Sequence, residues 1–264
     1  MFQIIRNWLN RYIISRSTIT PLQWAEAFAS LPLLAGVTAD EKNRLQGLAI
    51  LLLHHKVFEG AQGLVVTQSM TLIIALQACL PVLNLGLGGY DGWVSVIIYP
   101  AGFAPKRVVM DEYGVEHSVQ SDLLGESWQR GPVVLAWDAT ENAGIIDGHN
   151  LVIHEFAHKL DMQNGQANGF PPLHSGMTSE AWVEAFSSGF EDFQDRCNRG
   201  EYIGVDSYAA SSPAEFFAVL SEVFFERPDV IQLHYAAIYD QLRQYYRQDT
   251  RLRLKSNNRD KVRT

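Results

Sequence analysis

Residues 154–158 read His-Glu-Phe-Ala-His, and this pentapeptide constrains the fold of the chain more than any other segment. Residues four apart on an α-helix share one face, so both imidazoles can point at a single metal ion. A second stripe at helical spacing is apolar and consists of Ile153, Phe156, Ala157 and Leu160. The pattern therefore predicts a helix over residues 150–162 that is buried on one side and turns its histidines towards a cleft.

Glu155 lies one step round this helix, where its carboxylate can reach a water at the metal without binding the metal itself. Imidazole and oxygen ligands suit Zn²⁺, and three protein ligands leave a position for that water. The pattern predicts a metallopeptidase with His154 and His158 as ligands and Glu155 as general base. Two surface histidines on an amphipathic helix are the simpler alternative. A structural zinc site is disfavoured, because such sites favour cysteine.

The third ligand is not adjacent in sequence. Asp161 stands where the longer zinc-peptidase pattern HExxHxxGxxH has glycine, which disfavours that class. Glu215 and Glu222 are seven apart in an apolar segment and share one helical face. Glu215 also fits the N3 position of a capping box that begins at Ser212, so ligand and cap both remain open. Glu222 suits an acceptor for a ligand histidine or a solvated helix residue. Asp161 suits an orienting group or a ligand one turn on.

The whole chain predicts a helix-rich α+β protein with a few short strands and one large domain over residues 21–250. Strands are predicted at residues 62–70, 93–99 and 131–137, and the last is a candidate to pair with an extended substrate. Helices are predicted at residues 71–85, 179–196, 213–226 and 230–246, with a loop at 138–149. The segment 163–206 is a candidate lid over the cleft.

The two ends of the chain differ from its body. Residues 1–20 are amphipathic, and a helix docked on the domain is expected rather than a helix on a membrane surface. Residues 251–264 hold six basic residues and one acidic residue, which predicts a polar, disordered tail. The rest of the chain carries a net charge of −13, which disfavours direct contact with nucleic acid.

No apolar run is long enough to span a bilayer, and no secretory signal pattern is present. The chain has two cysteines, far apart, which suits a reducing compartment better than a disulfide framework. We therefore expect a cytoplasmic protein.

Two longer segments resemble the Mlc titration factor A family of bacterial proteins: VIHEFAHKLDMQNG at 152–165 and DSYAASSPAEFFAVLSEVFFE at 206–226. Four shorter ones extend the resemblance over most of the chain: LPLL (31–34), CLPVLNLGL (79–87), IIYP (97–100) and SWQRGPVVLAW (127–137). The resemblance implies a zincin-like domain whose catalytic core is related to the anthrax lethal factor protease. It also implies one Zn²⁺ per chain, aminopeptidase-type activity, and binding to the glucose-responsive repressor Mlc.

Carried onto this sequence, the resemblance assigns His154, His158 and Glu215 as zinc ligands and Glu155 as general base. It also points to Tyr208, seven residues before Glu215, as a donor to the oxyanion that forms during peptide hydrolysis. Asp161 and Glu222 are then supporting residues. The rival interpretation is a binding protein that sequesters a repressor and has only incidental peptidase activity.

Overall fold

The computed structural model describes residues 2–101, 106–110, 116–120, 125–127, 131–141 and 145–254. These residues form ten α-helices, α1 to α10: Phe2–Ser15, Pro21–Ala29, Ala39–His55, Gln68–Cys79, Trp137–Glu141, Leu151–Asp161, Ser179–Asn198, Pro213–Glu226, Pro228–His234 and Ala236–Tyr246. They also form six strands, β1 to β6: Val57–Gly60, Ser95–Tyr99, Lys106–Met110, Glu116–Gln120, Gly125–Ser127 and Val133–Ala136. The prediction of a helix-rich α+β fold with a small sheet is confirmed.

Four strands form one sheet in the order β1-β2-β6-β5. The first three are mutually parallel, whereas β5 runs antiparallel to β6. Parallel neighbours need a crossover connection, and α4 lies within the one between β1 and β2. All four side chains of β6 are buried, as expected of a strand with partners on both sides. β3 and β4 pair antiparallel in a separate two-stranded sheet.

Helix α6 carries the His-Glu-Phe-Ala-His segment and packs against α4, α8, β5 and β6. Its predicted apolar stripe is buried throughout, with Phe156 fully inaccessible. The Phe156 ring makes edge contacts with Tyr90 and Trp93, at centroid distances of 5.0 and 5.6 Å. Gly89 approaches α6 so closely that an added Cβ would lie 2.5 Å from a methyl of Leu160. The loop around residue 90 therefore braces the helix from the side opposite its histidines.

The predicted strand at 62–70 is wrong. The strand in this region is β1, and the chain turns directly after it, with positive φ at Gln62 and Gly63. Thr67 then caps α4, because its hydroxyl accepts a hydrogen bond from Met70 N. The β-branched residues that suggested a strand lie in the connection, where Val65 is 79% exposed.

The expectation that strand 131–137 offers a free edge to a substrate is also wrong. This strand is β6, and it lies between β2 and β5 in the sheet. Among the described strands, β5 is the outermost on that side. Two helical boundaries differ as well. Residues Trp137–Glu141 form α5, where a loop was predicted. The predicted helix 230–246 is divided between α9 and α10, because Tyr235 between them has the non-helical backbone angles φ −139° and ψ 60°.

Helix α1 docks on α3, as predicted for the N-terminal segment. Ile14 faces Gly47 of α3, where an added Cβ would lie 3.4 Å from its terminal methyl. The opposite face of α1 is open to solvent. No helix among the described residues combines the length and apolar character needed to cross a membrane.

The predicted tail begins inside the packed body. Residues 250–254 are helical, and Arg253 is buried among residues of the domain. Its guanidinium donates to Gln248 Oε1 at 2.7 Å and pairs with Glu41 at 3.4 Å. Residues 255–264 lie outside the described part of the chain. The boundary predicted at residue 250 therefore cuts through a helical turn that holds a buried charge.

Arg253→Ala is expected to lower the free energy of unfolding by about 2 kcal/mol, because it leaves Gln248 Oε1 and Glu41 Oε1 without their donor. The neighbouring Arg251 is the matched control, because its ion pair with Asp229 is largely solvent-exposed. Arg251→Ala should cost under about 1 kcal/mol. Urea unfolding of both variants measures the difference. Equal losses would show that Arg253 contributes no more than a surface charge.

Candidate metal centre

Two helices bring the predicted site residues together. α6 supplies His154, Glu155 and His158, and α8 packs across it and supplies Glu215. Each helix begins at a side-chain cap, Asn150 for α6 and Ser212 for α8. The caps fix the first turn of each helix, and the site lies within the first two turns of both.

Three potential ligand atoms converge at one point. His154 Nε2 lies 3.0 Å from Glu215 Oε2, and His158 Nε2 lies 3.2 Å from the same oxygen. The two Nε2 atoms are themselves 3.2 Å apart. All three atoms lie within 4.8 Å of one another, and among the described residues these side chains are the one such group of three or more.

This donor set fits a metal ion. His154 Nδ1 faces the Glu222 carboxylate and donates its proton there, which leaves a lone pair on Nε2 of the neutral ring. Two nitrogen lone pairs and a carboxylate oxygen packed together are mutually repulsive unless a cation lies among them. Ligands about 2.0–2.1 Å from a tetrahedral ion stand roughly 3.3 Å from one another, close to the separations seen here.

The electrostatics of the site show the same demand for positive charge. Burial disfavours the ionised form of Glu215, but hydrogen bonds with His154 and His158 outweigh it and hold the pKa well below the usual range. For His154, burial favours the neutral ring, yet its bonds to Glu215 and Glu222 raise the pKa well above the ordinary value. The residues around this point therefore stabilise positive charge between the two histidines and Glu215.

Glu155 lies beside the three ligand atoms but is not one of them. Its side chain is buried, and its Oε2 has no hydrogen-bond partner among the described residues. Burial raises the pKa of Glu155 to about 8, and the nearby Glu215 carboxylate adds to the shift. The positive charge of a metal ion would act in the opposite direction. A buried carboxylate beside the three potential ligand atoms, with one oxygen free of other partners among the described residues, is placed to act as a general base.

The structure shows where the backbone and the side chain of Glu215 lie. Ser212 Oγ accepts a hydrogen bond from the backbone N of Glu215 at 3.2 Å, so Ser212 is the helix cap. The carboxylate does not turn back to complete a capping box, and it meets the two histidines instead. Glu215 can therefore take part in both, because its backbone N–H binds the helix cap while its side chain points towards the two histidines.

Glu222 lies behind His154. Its Oε1 accepts from His154 Nδ1 at 2.7 Å, and its Oε2 accepts from the backbone N of Asn150. The second contact ties α8 to the first turn of α6. Glu222 therefore fixes both the tautomer and the orientation of His154.

Three residues that the sequence did not single out continue this network. Asn150 Nδ2 donates to Gln77 Oε1 at 2.9 Å and to Glu226 Oε1 at 3.0 Å. Glu226 Oε2 accepts from the backbone N of Gly148. Burial raises the pKa of Glu226 to about 8 in spite of these donors. The one signal for Glu226 in the sequence was that it is a third glutamate in the same apolar helix, four residues after Glu222.

Asp161 contacts a loop rather than a ligand histidine. Its Oδ2 accepts from the backbone N of Asn168 and of Gly169, at 2.8 and 2.7 Å. Gly169 in turn lies against Pro213, where an added Cβ would come 2.4 Å from the carbonyl oxygen. Asp161 thus connects the end of α6 to the start of the helix that carries Glu215.

Tyr208 lies next to the site, in a short 3-10 turn that precedes α8. Its ring centroid is 6.2 Å from that of His154, and the residue is 49% exposed. The candidate lid at 163–206 is partly a fixed element, because it contains α7, which packs against α8 and α10.

Comparison with known proteins assigns the family. The family model described as "Glucose-regulated metallo-peptidase M90" matches residues 5–247, which include both α6 and α8. The chain belongs to the M90 metallopeptidase family. It is also 42% identical over 237 residues to Mlc titration factor A of Yersinia pestis (strain Pestoides F) and of Yersinia pseudotuberculosis (serotype O:1b). These alignments cover 88% of this chain and 87% of each relative. The resemblance seen in the sequence is confirmed, and an M90 metallopeptidase implies a metal ion.

Glu222→Gln is expected to weaken the metal affinity of this M90 protein about 10- to 100-fold. Both carboxylate oxygens of Glu222 accept hydrogen bonds, whereas an amide has one acceptor oxygen, so His154 or Asn150 loses its partner. Competition with a chromophoric chelator measures the affinity. Glu184→Gln on the exposed face of α7 is the control and should match the wild type. Unchanged affinity in Glu222→Gln would exclude a supporting role.

Proposed function

We propose that this protein is a zinc-dependent peptidase of aminopeptidase type, with His154, His158 and Glu215 as zinc ligands and Glu155 as general base. The convergence of three ligand atoms beside a buried carboxylate carries the proposal. Membership of the M90 metallopeptidase family supports hydrolysis of peptides. The aminopeptidase type rests on the resemblance found in the sequence, and the activity test below separates it from cleavage within a peptide.

The donor set favours zinc over harder ions. Two imidazole nitrogens and one carboxylate oxygen are a common catalytic zinc set, whereas Mg²⁺ and Ca²⁺ prefer oxygen ligands throughout. Zinc bound there would act as a Lewis acid towards a peptide carbonyl and make an attacking water more acidic.

Side chains of the site supply the remaining catalytic and positioning roles. Glu155 takes a proton from the attacking water at its carboxylate and passes it to the leaving amine. Tyr208 donates its hydroxyl proton in a hydrogen bond to the oxyanion as the carbonyl carbon becomes tetrahedral. Glu222 holds His154 in one tautomer through the step. Asp161 maintains the loop against the first turn of α8.

Strand β5 is the element best placed to bind the backbone of a substrate. It pairs with β6 on one side, and no other described strand pairs with its second edge. An extended peptide can add to such an edge through main-chain hydrogen bonds. β5 also contacts α6, so a peptide bound along this edge would run past the helix that carries His154 and Glu155.

Glu155→Gln is expected to lower turnover by about 10²- to 10⁴-fold while the protein keeps its zinc, because an amide cannot accept the proton. Metal analysis and a panel of aminoacyl chromogenic substrates, each with a free and an acetylated N-terminus, measure both properties. Glu184→Gln is again the control. Turnover retained in Glu155→Gln would disprove its assigned role. Equal cleavage of acetylated substrates would disprove the aminopeptidase type.

Tyr208→Phe is expected to lower kcat about 100-fold with little change in KM or in zinc content, because the hydrogen bond forms only in the transition state. Tyr202→Phe is the matched control, since Tyr202 is 76% exposed on a neighbouring loop. Steady-state kinetics on one cleaved substrate separate kcat from KM. A loss confined to KM, or the same loss in both variants, would place Tyr208 outside the chemistry.

A second role is favoured by the relatives named Mlc titration factor A. We propose that this protein also binds the repressor Mlc, in the cytoplasm, and so affects expression of sugar-uptake genes. The alternative is a repressor-sequestering protein with incidental peptidase activity. Binding of purified Mlc to wild type and to Glu155→Gln distinguishes the two, because a separate docking surface predicts equal affinity. No binding of Mlc by either protein would remove this role.

A further inference from the structure

Helix α1 presents an apolar face to solvent. At about 100° per residue, five large apolar side chains fall within an arc of roughly 140° on the side away from α3. We call these residues the outer face of α1: Ile4, Ile5, Trp8, Leu9 and Tyr12. Their exposed fractions are 73, 55, 63, 44 and 49%. Single exposed apolar residues are common on proteins, whereas five contiguous ones on a helix mark an interaction surface.

The packing of α1 keeps this face turned outward. Its inner side consists of Asn10, Ile13 and Ile14, which are half-buried, and Ile14 sits over Gly47 of α3. The glycine allows close approach at this point. Rotating the helix to bury Trp8 would therefore expose the residues that now contact the domain.

The charges around the outer face have one sign. Arg6, Arg11 and Arg16 are exposed, and the chain has no acidic residue before Glu26. The remaining residues, from 21 onwards, carry a net charge of −11. The positive charge of the first twenty residues thus lies on, or directly after, the helix that also carries the exposed apolar face.

We propose that the outer face of α1 binds an anionic membrane surface, with the helix axis in the plane of the interface. An apolar face flanked by arginines is the pattern of helices that lie between headgroups and acyl chains. Trp8 and Tyr12 stack with their ring centroids 5.9 Å apart, and aromatic residues of these two types favour the headgroup region. The arginines contact lipid phosphates, while the acidic body stays in water.

Charge complementarity favours an anionic membrane, rather than a second copy of the chain, as the partner of the outer face. Two outer faces packed together would bring six arginines into one interface without an acidic partner from either helix. An anionic lipid surface places negative charge beside all three arginines and an apolar layer beneath the aromatic rings. An anionic membrane surface therefore matches both the arginines and the exposed apolar face of α1.

Co-sedimentation of the full chain with vesicles tests the proposal. Wild type is expected to bind vesicles of phosphatidylcholine with about one third phosphatidylglycerol, and to bind neutral phosphatidylcholine vesicles far more weakly. Each arginine should contribute roughly fivefold, so replacing Arg6, Arg11 and Arg16 with Gln should weaken binding on the order of a hundredfold. Raising the salt concentration should also weaken binding of the wild type, because salt screens the attraction between the arginines and the lipid phosphates.

The double variant Ile5→Ser, Trp8→Ser should lose binding and keep the circular dichroism spectrum and melting temperature of the wild type, since both side chains are exposed. The matched control is Tyr202→Ser, Leu233→Ser, which removes two apolar side chains that are 76 and 77% exposed elsewhere. That control should bind like wild type.

Three results would overturn the proposal. The first is no sedimentation of wild type with anionic vesicles. The second is equal sedimentation of wild type and the Ile5→Ser, Trp8→Ser variant. The third is a dimer in lipid-free buffer that this variant abolishes, because that would assign the outer face to a second copy of the chain.

Discussion

The carboxylate of Glu222 joins the two helices on which the site depends. One oxygen accepts from the ring of His154, and the other accepts from the backbone N of Asn150 at the start of α6. A single side chain of α8 therefore holds both the cap residue of α6 and its first histidine. Glu215, two turns earlier on α8, then meets His154 and His158 on the same face. The contact therefore helps to hold the three potential ligand atoms at one point.

The surrounding fold keeps these helices from shifting. Phe156 on the far side of α6 is enclosed by the rings of Tyr90 and Trp93, so the helix cannot rotate without opening an aromatic cluster. Behind His154, the buried chain from Gln77 through Asn150 to Glu226 supplies partners for polar groups that would be costly to leave unpaired. The site is thus held by apolar packing on one side and by hydrogen bonds on the other, as a preorganised centre requires.

The sequence predicted what depends on local spacing. The positions of the histidines and of Glu222 follow from helical periodicity, and the start of α8 follows from its cap and its proline. For Glu215 the pattern left cap and ligand open, because only the packing of α8 on α6 shows where the carboxylate points. Asn150 and Glu226 were missed since their partners are more than seventy residues away. The strand predicted at 62–70 failed because β-branched composition cannot reveal a turn set by positive φ.

X-ray absorption spectroscopy of the zinc-loaded protein tests the central claim most directly. The account predicts a four-coordinate zinc with two imidazole nitrogens and oxygen ligands at about 2.0–2.1 Å, and loss of one imidazole contribution in His154→Ala. A sulfur ligand at about 2.3 Å, or six oxygen ligands, would contradict it, because neither can be built from His154, His158 and Glu215. An unchanged spectrum in His154→Ala would place the metal elsewhere in the protein.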